Sequence, residues 1–363
     1  MSNATDYTRV SPFIRQVEKI PEEQTHLAVY HGKVTDAMAS MSSRDATLNK
    51  ITGKATIDNG EISVIIQKFN DLQASLGVNT HKLLVMGLGA FTAVNTYGTD
   101  NSIHHAVTFP LAEYAKWLGE DVEEHPTATE EEAIKEKKRV QRKLNEVQKR
   151  VKKELEVLVS TQIRWEETIK GKPQDFDYIN ILGRASVKKG VVLMEFSDTM
   201  ARYFTSLNLT QYPKSLFLIS GRNQNAYALG YKFAIHHNMD NNIKRGTANR
   251  LKVENLLKVT SLPTYEQTVK NRNSWTDRIK EPFETALDEL IRAGTLVNWE
   301  YTHSKGVPLT EEEASNITDY KTFSELYITF EMGEEVDHTE RIARRAEEQE
   351  KKRSKRKKQK IQP

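Results

Sequence analysis

Between Lys135 and Lys153 the chain carries ten basic residues and two acidic ones, Glu136 and Glu146. Apolar residues thread the same stretch at Val140, Leu144, Val147, Val151, Leu155 and Leu158, the spacing of one α-helical face at about 3.6 residues per turn. Winding the helix at about 100° per residue sets Lys135, Lys138, Arg142, Lys149 and Lys153 opposite that seam. Arg139, Arg150 and Lys152 fall on its flanks. A solvated helix usually mixes charge signs for i,i+4 pairing, and the middle of this one does not. Its chemistry is that of a polyanion contact: Lys and Arg neutralise phosphates and reach base edges in a major groove. A short coiled coil or a solvated face is the plainer alternative. Thr129 followed by Glu132 reads as a capping box, and Glu130, Glu131 and Glu132 set negative charge at the positive end of the dipole.

A second basic cluster, Lys270, Arg272, Asn273, Ser274, Thr276, Arg278 and Lys280, opens another helix spanning Ser274 to Ala293. Trp275, Ile279, Phe283, Ala286, Leu287 and Leu290 form its apolar face. The opposite face bears Asp277, Glu281, Glu284 and Asp288, which would repel phosphate. Groove contact by this helix must therefore use its N-terminal end, as recognition helices often do. Pro282 is expected to bend it just beyond. The alternative is that this region mainly packs or dimerises.

Other residue groups carry less. His104-His105 and His236-His237 are adjacent pairs whose side chains diverge by about 100° on a helix, so neither pair makes a two-ligand site. No His–apolar–His triplet of a rolling-circle nuclease occurs. Gly87, Gly89, Gly98 and Gly183 form no phosphate loop, because no Gly-Lys-Ser/Thr follows. No Gly-x-Ser-x-Gly elbow is present. Trp117, Trp165, Trp275 and Trp299 sit on apolar patterns and read as core. No catalytic residue, cofactor or metal is expected.

The elements that must position the two clusters follow in a repeated order. Residues 1–59 are polar and weakly patterned, an arm with a short helix over Val34–Met41. Glu61–Leu76 and Thr80–Asn95 read as two helices. A short helix capped by Thr108 and stopped by Gly119 precedes the basic helix. Strand-like runs Asp175–Ser186 and Val191–Phe196 join through Lys188-Lys189-Gly190, a hairpin turn. A helix over Asn223–Asn238, a short one over Lys252–Val259, the helix from Ser274, and strands over Thr295–Tyr301 and Phe323–Phe330 give a second copy. The expected fold is mainly α with β-hairpin wings (α+β). It has two tandem winged-helix domains, 60–205 and 206–333, with a tail over 334–363.

The 363 residues carry a net charge of +3, yet Lys351 to Lys360 alone holds eight basic residues, leaving a mildly acidic body. That confines attraction for polyanions to two places. Zero cysteines exclude a disulfide framework and Cys-ligated metal. The opening MSNATDYTRV has no signal pattern, and Leu83–Val94 is too short to span a bilayer. A cytoplasmic protein without a membrane partner is expected.

The run Leu251 to Tyr301, above all Arg278-Ile279-Lys280-Glu281-Pro282-Phe283 leading into Ala286-Leu287-Asp288-Glu289-Leu290, resembles the second winged helix of plasmid replication initiators of the iteron-binding Rep type. VTFPLAEYAKWLGEDV, the basic helix and ASVKKGVVLMEFSDTMARYF resemble the first. The resemblance covers about residues 60–332 and lacks a unique signature. It implies binding of double-stranded origin DNA at repeated sites, opening of the adjacent duplex and recruitment of host replication initiation proteins and helicase. A switch between monomer and homodimer is implied as well. Lys135, Lys138, Arg139, Arg142, Lys149, Lys153, Lys188 and Lys189 would serve the first groove or its phosphates. Lys270 to Lys280 would serve the second, nearly one DNA turn away. Rival readings are a winged-helix transcription regulator and, in another class, a nicking initiator or relaxase.

Overall fold

Residues 14–16, 26–41, 47–49, 54–58, 62–66, 77–97, 103–169, 172–271, 274–315 and 317–333 are described by the computed structural model. They form a mixed α+β fold whose small sheets are antiparallel apart from one pairing. Strands β1 (Ile14–Gln16) and β2 (His26–His31), helix α1 (Lys33–Met41) and strands β3 (Thr47–Asn49), β4 (Lys54–Asp58) and β5 (Ile62–Ile66) precede helix α2 (Val78–Tyr97). Strand β6 (Ala106–Pro110) and helix α3 (Leu111–Trp117) lead to the long α4 (Glu130–Ser160). Then come β7 (Thr161–Ile169), β8 (Lys172–Asn180), β9 (Leu182–Lys188), β10 (Val191–Phe196), α5 (Asp198–Ser206) and β11 (Asn208–Pro213). The chain continues through α6 (Ser215–Leu218), α7 (Gln224–Asn238), α8 (Asp240–Lys244), β12 (Arg250–Lys252), α9 (Val253–Leu257) and α10 (Tyr265–Lys270). A π-helical turn, Thr276–Lys280, runs into α11 (Glu281–Arg292), followed by β13 (Leu296–Thr302), α12 (Glu311–Ser315), α13 (Tyr320–Glu325) and β14 (Tyr327–Met332).

One order recurs. Helix α2, strand β6, helices α3 and α4, then β9 and β10 give a sheet with β10 between β6 and β9. Helix α7, strand β12, helices α9 and α11, then β13 and β14 give a sheet with β14 between β12 and β13. In each, the last strand inserts antiparallel between the other two. The first hairpin turns at Lys189 (φ 48°) and Gly190 (φ 75°), two successive left-handed residues as a tight two-residue turn requires. The Gly190 carbonyl accepts from Leu111 N–H at 2.8 Å, tying the turn to the start of α3.

The apolar core is continuous from β2 and α1 through α2 and α4 to α7, α11 and β14. Helix α2 is buried on nearly every side, with Leu83, Leu84, Met86, Leu88 and Phe91 at 0–1% exposure. Its glycines serve packing: a Cβ at Gly87 would collide with the Met194 side chain, so the glycine leaves room for that methionine between α2 and β10.

Several sequence expectations change. Residues 26–41 of the expected arm are packed into the fold: β2 pairs with β11, and Leu27, Val29, Tyr30, Val34 and Met38 are core residues. Ile62–Ile66 is a strand between β4 and β7, not the start of a helix, because the β-branched run ISVII fits a pleated surface better. Residues 67–76 lie outside the described residues. Thr108 belongs to β6 opposite Leu193, and Pro110 takes the N-cap of α3. The run Asp175–Ser186 breaks at Ile181 into β8 and β9, and β8 pairs with β7 in a hairpin absent from the sequence reading. Phe323 lies in α13, capped by Asp319, so the strand starts at Tyr327.

Candidate nucleic-acid interface

Helix α4 has 31 residues, so at 1.5 Å per residue it is about 46 Å long. Thr129 and Glu132 form the expected capping box. Its buried residues, Val147, Val151, Leu155, Val157 and Leu158, all lie in the second half. The first half is braced by the acidic loop after α3. Arg139 donates to Asp121 Oδ2 at 2.6 Å, to the Glu123 carbonyl at 2.8 Å and to Glu136 Oε1 at 2.8 Å. Glu136 also accepts from His125 N–H at 2.9 Å. The Arg139 guanidinium, helped by that N–H, holds the Glu136 carboxyl down to about 2. Glu120 takes Lys143 at 3.4 Å and Arg150 in a short contact.

Charge on α4 is thereby sorted. Arg139, Lys143 and Arg150 face the loop and are neutralised there, so Arg139 braces the helix rather than standing on its outer face. Lys135 pairs with Glu131 at 3.4 Å, both largely exposed. Lys138, Arg142, Lys149, Lys152 and Lys153 are exposed, and none forms an ion pair with a described residue. Lys188 and Lys189 are exposed at the β9–β10 turn. This leaves a cationic stripe along one side of a rigid rod.

The second cluster is less open. Lys270, Ser274 and Arg278 are exposed, while Thr276 and Lys280 are half-buried. Lys280 lies 3.9 Å from Glu284. Arg272 and Asn273 lie outside the described residues. The acidic face is partly spent internally: Glu284 accepts from the Tyr301 hydroxyl at 3.0 Å and Asp288 from Trp299 Nε1 at 3.1 Å. Asp277 and Glu281 remain exposed.

The histidine pairs do structural work. His236 Nε2 lies 2.9 Å from the Thr247 carbonyl, and His237 Nδ1 lies 2.6 Å from Asn249 Oδ1. His104 is buried, while His105 lies 3.5 Å from Asp198. Among the described residues no cluster of three metal-ligating side chains occurs and no helix is long and apolar enough to cross a membrane. Trp117 is buried; Trp275 and Trp299 are half-buried. The Trp165 side chain and the basic tail lie outside the described residues.

A polar strip on α2 went unread in the sequence. Thr80 donates to Glu154 of α4, His81 Nδ1 lies 2.6 Å from the Tyr227 hydroxyl of α7, and Lys82 donates to the carbonyls of Phe217 and Ile219 at the end of α6. All three residues are at most 2% exposed. No family model and no curated protein matches this chain.

Proposed function

We propose that the protein binds double-stranded DNA sequence-specifically at repeated plasmid-origin sites and initiates replication there without catalysing a reaction itself. Its two repeated units would be tandem winged helices. The observation that carries the reading is the stripe Lys138, Arg142, Lys149 and Lys153, exposed and without an ion pair to a described residue, while Arg139, Lys143 and Arg150 of the same helix are neutralised by the loop after α3. Five exposed cations spread from Lys138 to Lys153, about 22 Å along the helix axis, suit an extended polyanion better than a compact anion. Two further features support it: the order helix–strand–helix–helix–strand–strand recurs, with β7 and β8 inserted in the first unit and α8, α10, α12 and α13 in the second, and each unit's third strand lies centrally, as in a winged helix.

In this reading α4 lies along the first groove and the helix from Ser274 enters the second by its N-terminal turn. Arg142 and Arg278 would supply bidentate contacts to guanine, and Arg272 and Asn273, just before Ser274 in the sequence, would add further base contacts. Lys188 and Lys189 reach flanking phosphates. Host replication initiation proteins, helicase and a second copy of the chain are the partners the Rep-type resemblance implies.

Selection of bound duplexes from a random library tests this directly. The account requires enrichment of a defined site, recurring beside the protein's own coding region at a spacing of whole helical turns. Library members recovered at input frequency would refute it. Incubating supercoiled plasmid carrying that site with Mg²⁺ or Mn²⁺ distinguishes a binder, which leaves it intact, from a nicking enzyme.

A further inference from the structure

We infer that Pro282 and the π-helical turn before it form a register device that decides which side chains of the first helical turn face DNA, making Pro282 a positioning residue for base recognition. The inference rests on the reading of the second unit as a DNA reader.

Residues from Trp275 to Arg292 run as one helix, with right-handed dihedrals at Trp275 (φ −68°, ψ −29°), Lys280 (φ −65°, ψ −57°) and Glu281 (φ −61°, ψ −45°). Pro282 therefore sits inside a continuous helix. In an ordinary α-helix it would leave the Arg278 carbonyl without a donor and press its ring against that carbonyl. The chain avoids the clash by widening the turn. Glu281 N–H donates to the Thr276 carbonyl, five residues back, whereas Arg278 N–H still reaches the Ser274 carbonyl four residues back at 3.2 Å. One extra residue is thus accommodated. Everything before the wide turn is rotated by about 100° relative to an uninterrupted α-helix.

Packing holds that rotation on both sides. Beyond the turn, Phe283, Leu287 and Leu290 are fully buried. Within it Ile279 is 1% exposed, and before it Trp275 packs against Phe323 at 5.4 Å and Tyr320 at 6.1 Å between ring centres. The register has chemical meaning because Arg278 is flanked by Asp277 and Ile279. A one-residue rotation would offer a carboxylate or an aliphatic chain where the guanidinium now stands. The wide turn thus selects a cation over an anion at the exposed end of an otherwise acidic helix.

Pro282→Ala tests the device in two ways. The chain has no cysteine, so spin labels placed through Asp277→Cys and Asn255→Cys report one distance in the DNA-free protein. With proline removed the helix regularises and that distance shifts by about 5 Å, the displacement of a side chain swung about the helix axis. Sequence discrimination falls about 10-fold or more at the base pairs read by the first turn, while affinity for random duplex is not reduced; the urea midpoint falls, because Ile279 and Trp275 turn away from their packing. An unmoved label distance overturns the register device whether or not the protein selects DNA. A moved distance with unchanged base preference overturns the positioning role. If the wild type shows no sequence preference at all, the functional reading falls, and the positioning role with it, even where the distance moves.

Discussion

Lys82 Nζ donates to the Phe217 carbonyl at 2.8 Å from a site where the residue is only 2% exposed. A lysine of α2 thereby caps α6, the short helix between the two repeated units. Its neighbours act alongside it, Thr80 on α4 and His81 on α7, so three consecutive residues fasten the basic helix to the second unit. No described carboxylate pairs with Lys82; the Tyr227 ring, 5.7 Å from Nζ, provides the nearest aromatic face. The two units are held as one body, which fixes the spacing between the two basic clusters.

Burial pushes the Lys82 pKa down to about 7. Because the folded value is depressed, the group's contribution to stability is fully present above its unfolded pKa and is lost as pH falls through about 7. Between pH 7.5 and 9.0 the wild type should therefore gain up to about 1.4 kcal/mol per pH unit from this residue. Lys82→Met should remove that gain. Urea midpoints of both proteins at the two pH values decide it: parallel shifts would contradict the account.

His81 is buried beside Tyr227 and its pKa is pushed down to about 3 by burial. Its contribution is present above pH 6.5 and is lost on acidification toward 3. Acidification from pH 7.5 to 5.0 should cost about 2 kcal/mol through this residue. His81→Gln, though less stable overall, should show a shallower acid dependence in the same titration. An unchanged dependence would mean that other groups govern it.

The acidic loop after α3 is a brace. Asp121→Asn weakens the grip on Arg139, so amide exchange over Glu130–Leu144 should accelerate while the second half of α4 stays protected. The urea midpoint should hardly move, since exposed ion pairs stabilise little. Affinity for random duplex should rise slightly, because one repelling carboxylate is gone and a guanidinium is freed. Exchange unchanged along α4 would contradict the brace.

Helix α4 was legible in the sequence to within a residue, because capping box, apolar seam and charge stripe all agree. The β9–β10 turn was legible too, from Lys188-Lys189-Gly190. Ile62–Ile66 was misread because a short β-branched run satisfies helix and strand periodicity alike, and its partners β4 and β7 are distant in sequence. Strand β2 was missed for the same reason: Leu27, Val29 and Tyr30 acquire meaning only once β2 meets β11, far along the chain. The Thr80-His81-Lys82 strip looked like a polar interruption of α2, since nothing local shows that Tyr227, Glu154 and the end of α6 would receive it. Arg139, on the flank of α4, and Lys138, opposite its seam, both read as groove contacts in the sequence. The fold separates them by bringing Asp121 and Glu136 to one and leaving the other exposed.

The most direct test of the central claim is a salt series of equilibrium binding to the selected site and to random duplex. It compares the wild type with a variant carrying Lys138→Ala, Arg142→Ala, Lys149→Ala and Lys153→Ala. The account predicts a preference for the selected site of about 10³-fold or more in the wild type. In the variant the slope of log K against log salt should become shallower by about 3 to 4, close to one counterion per lost cation. Equal slopes for the two proteins would show that the stripe on α4 touches no phosphate, and the proposed interface would be wrong.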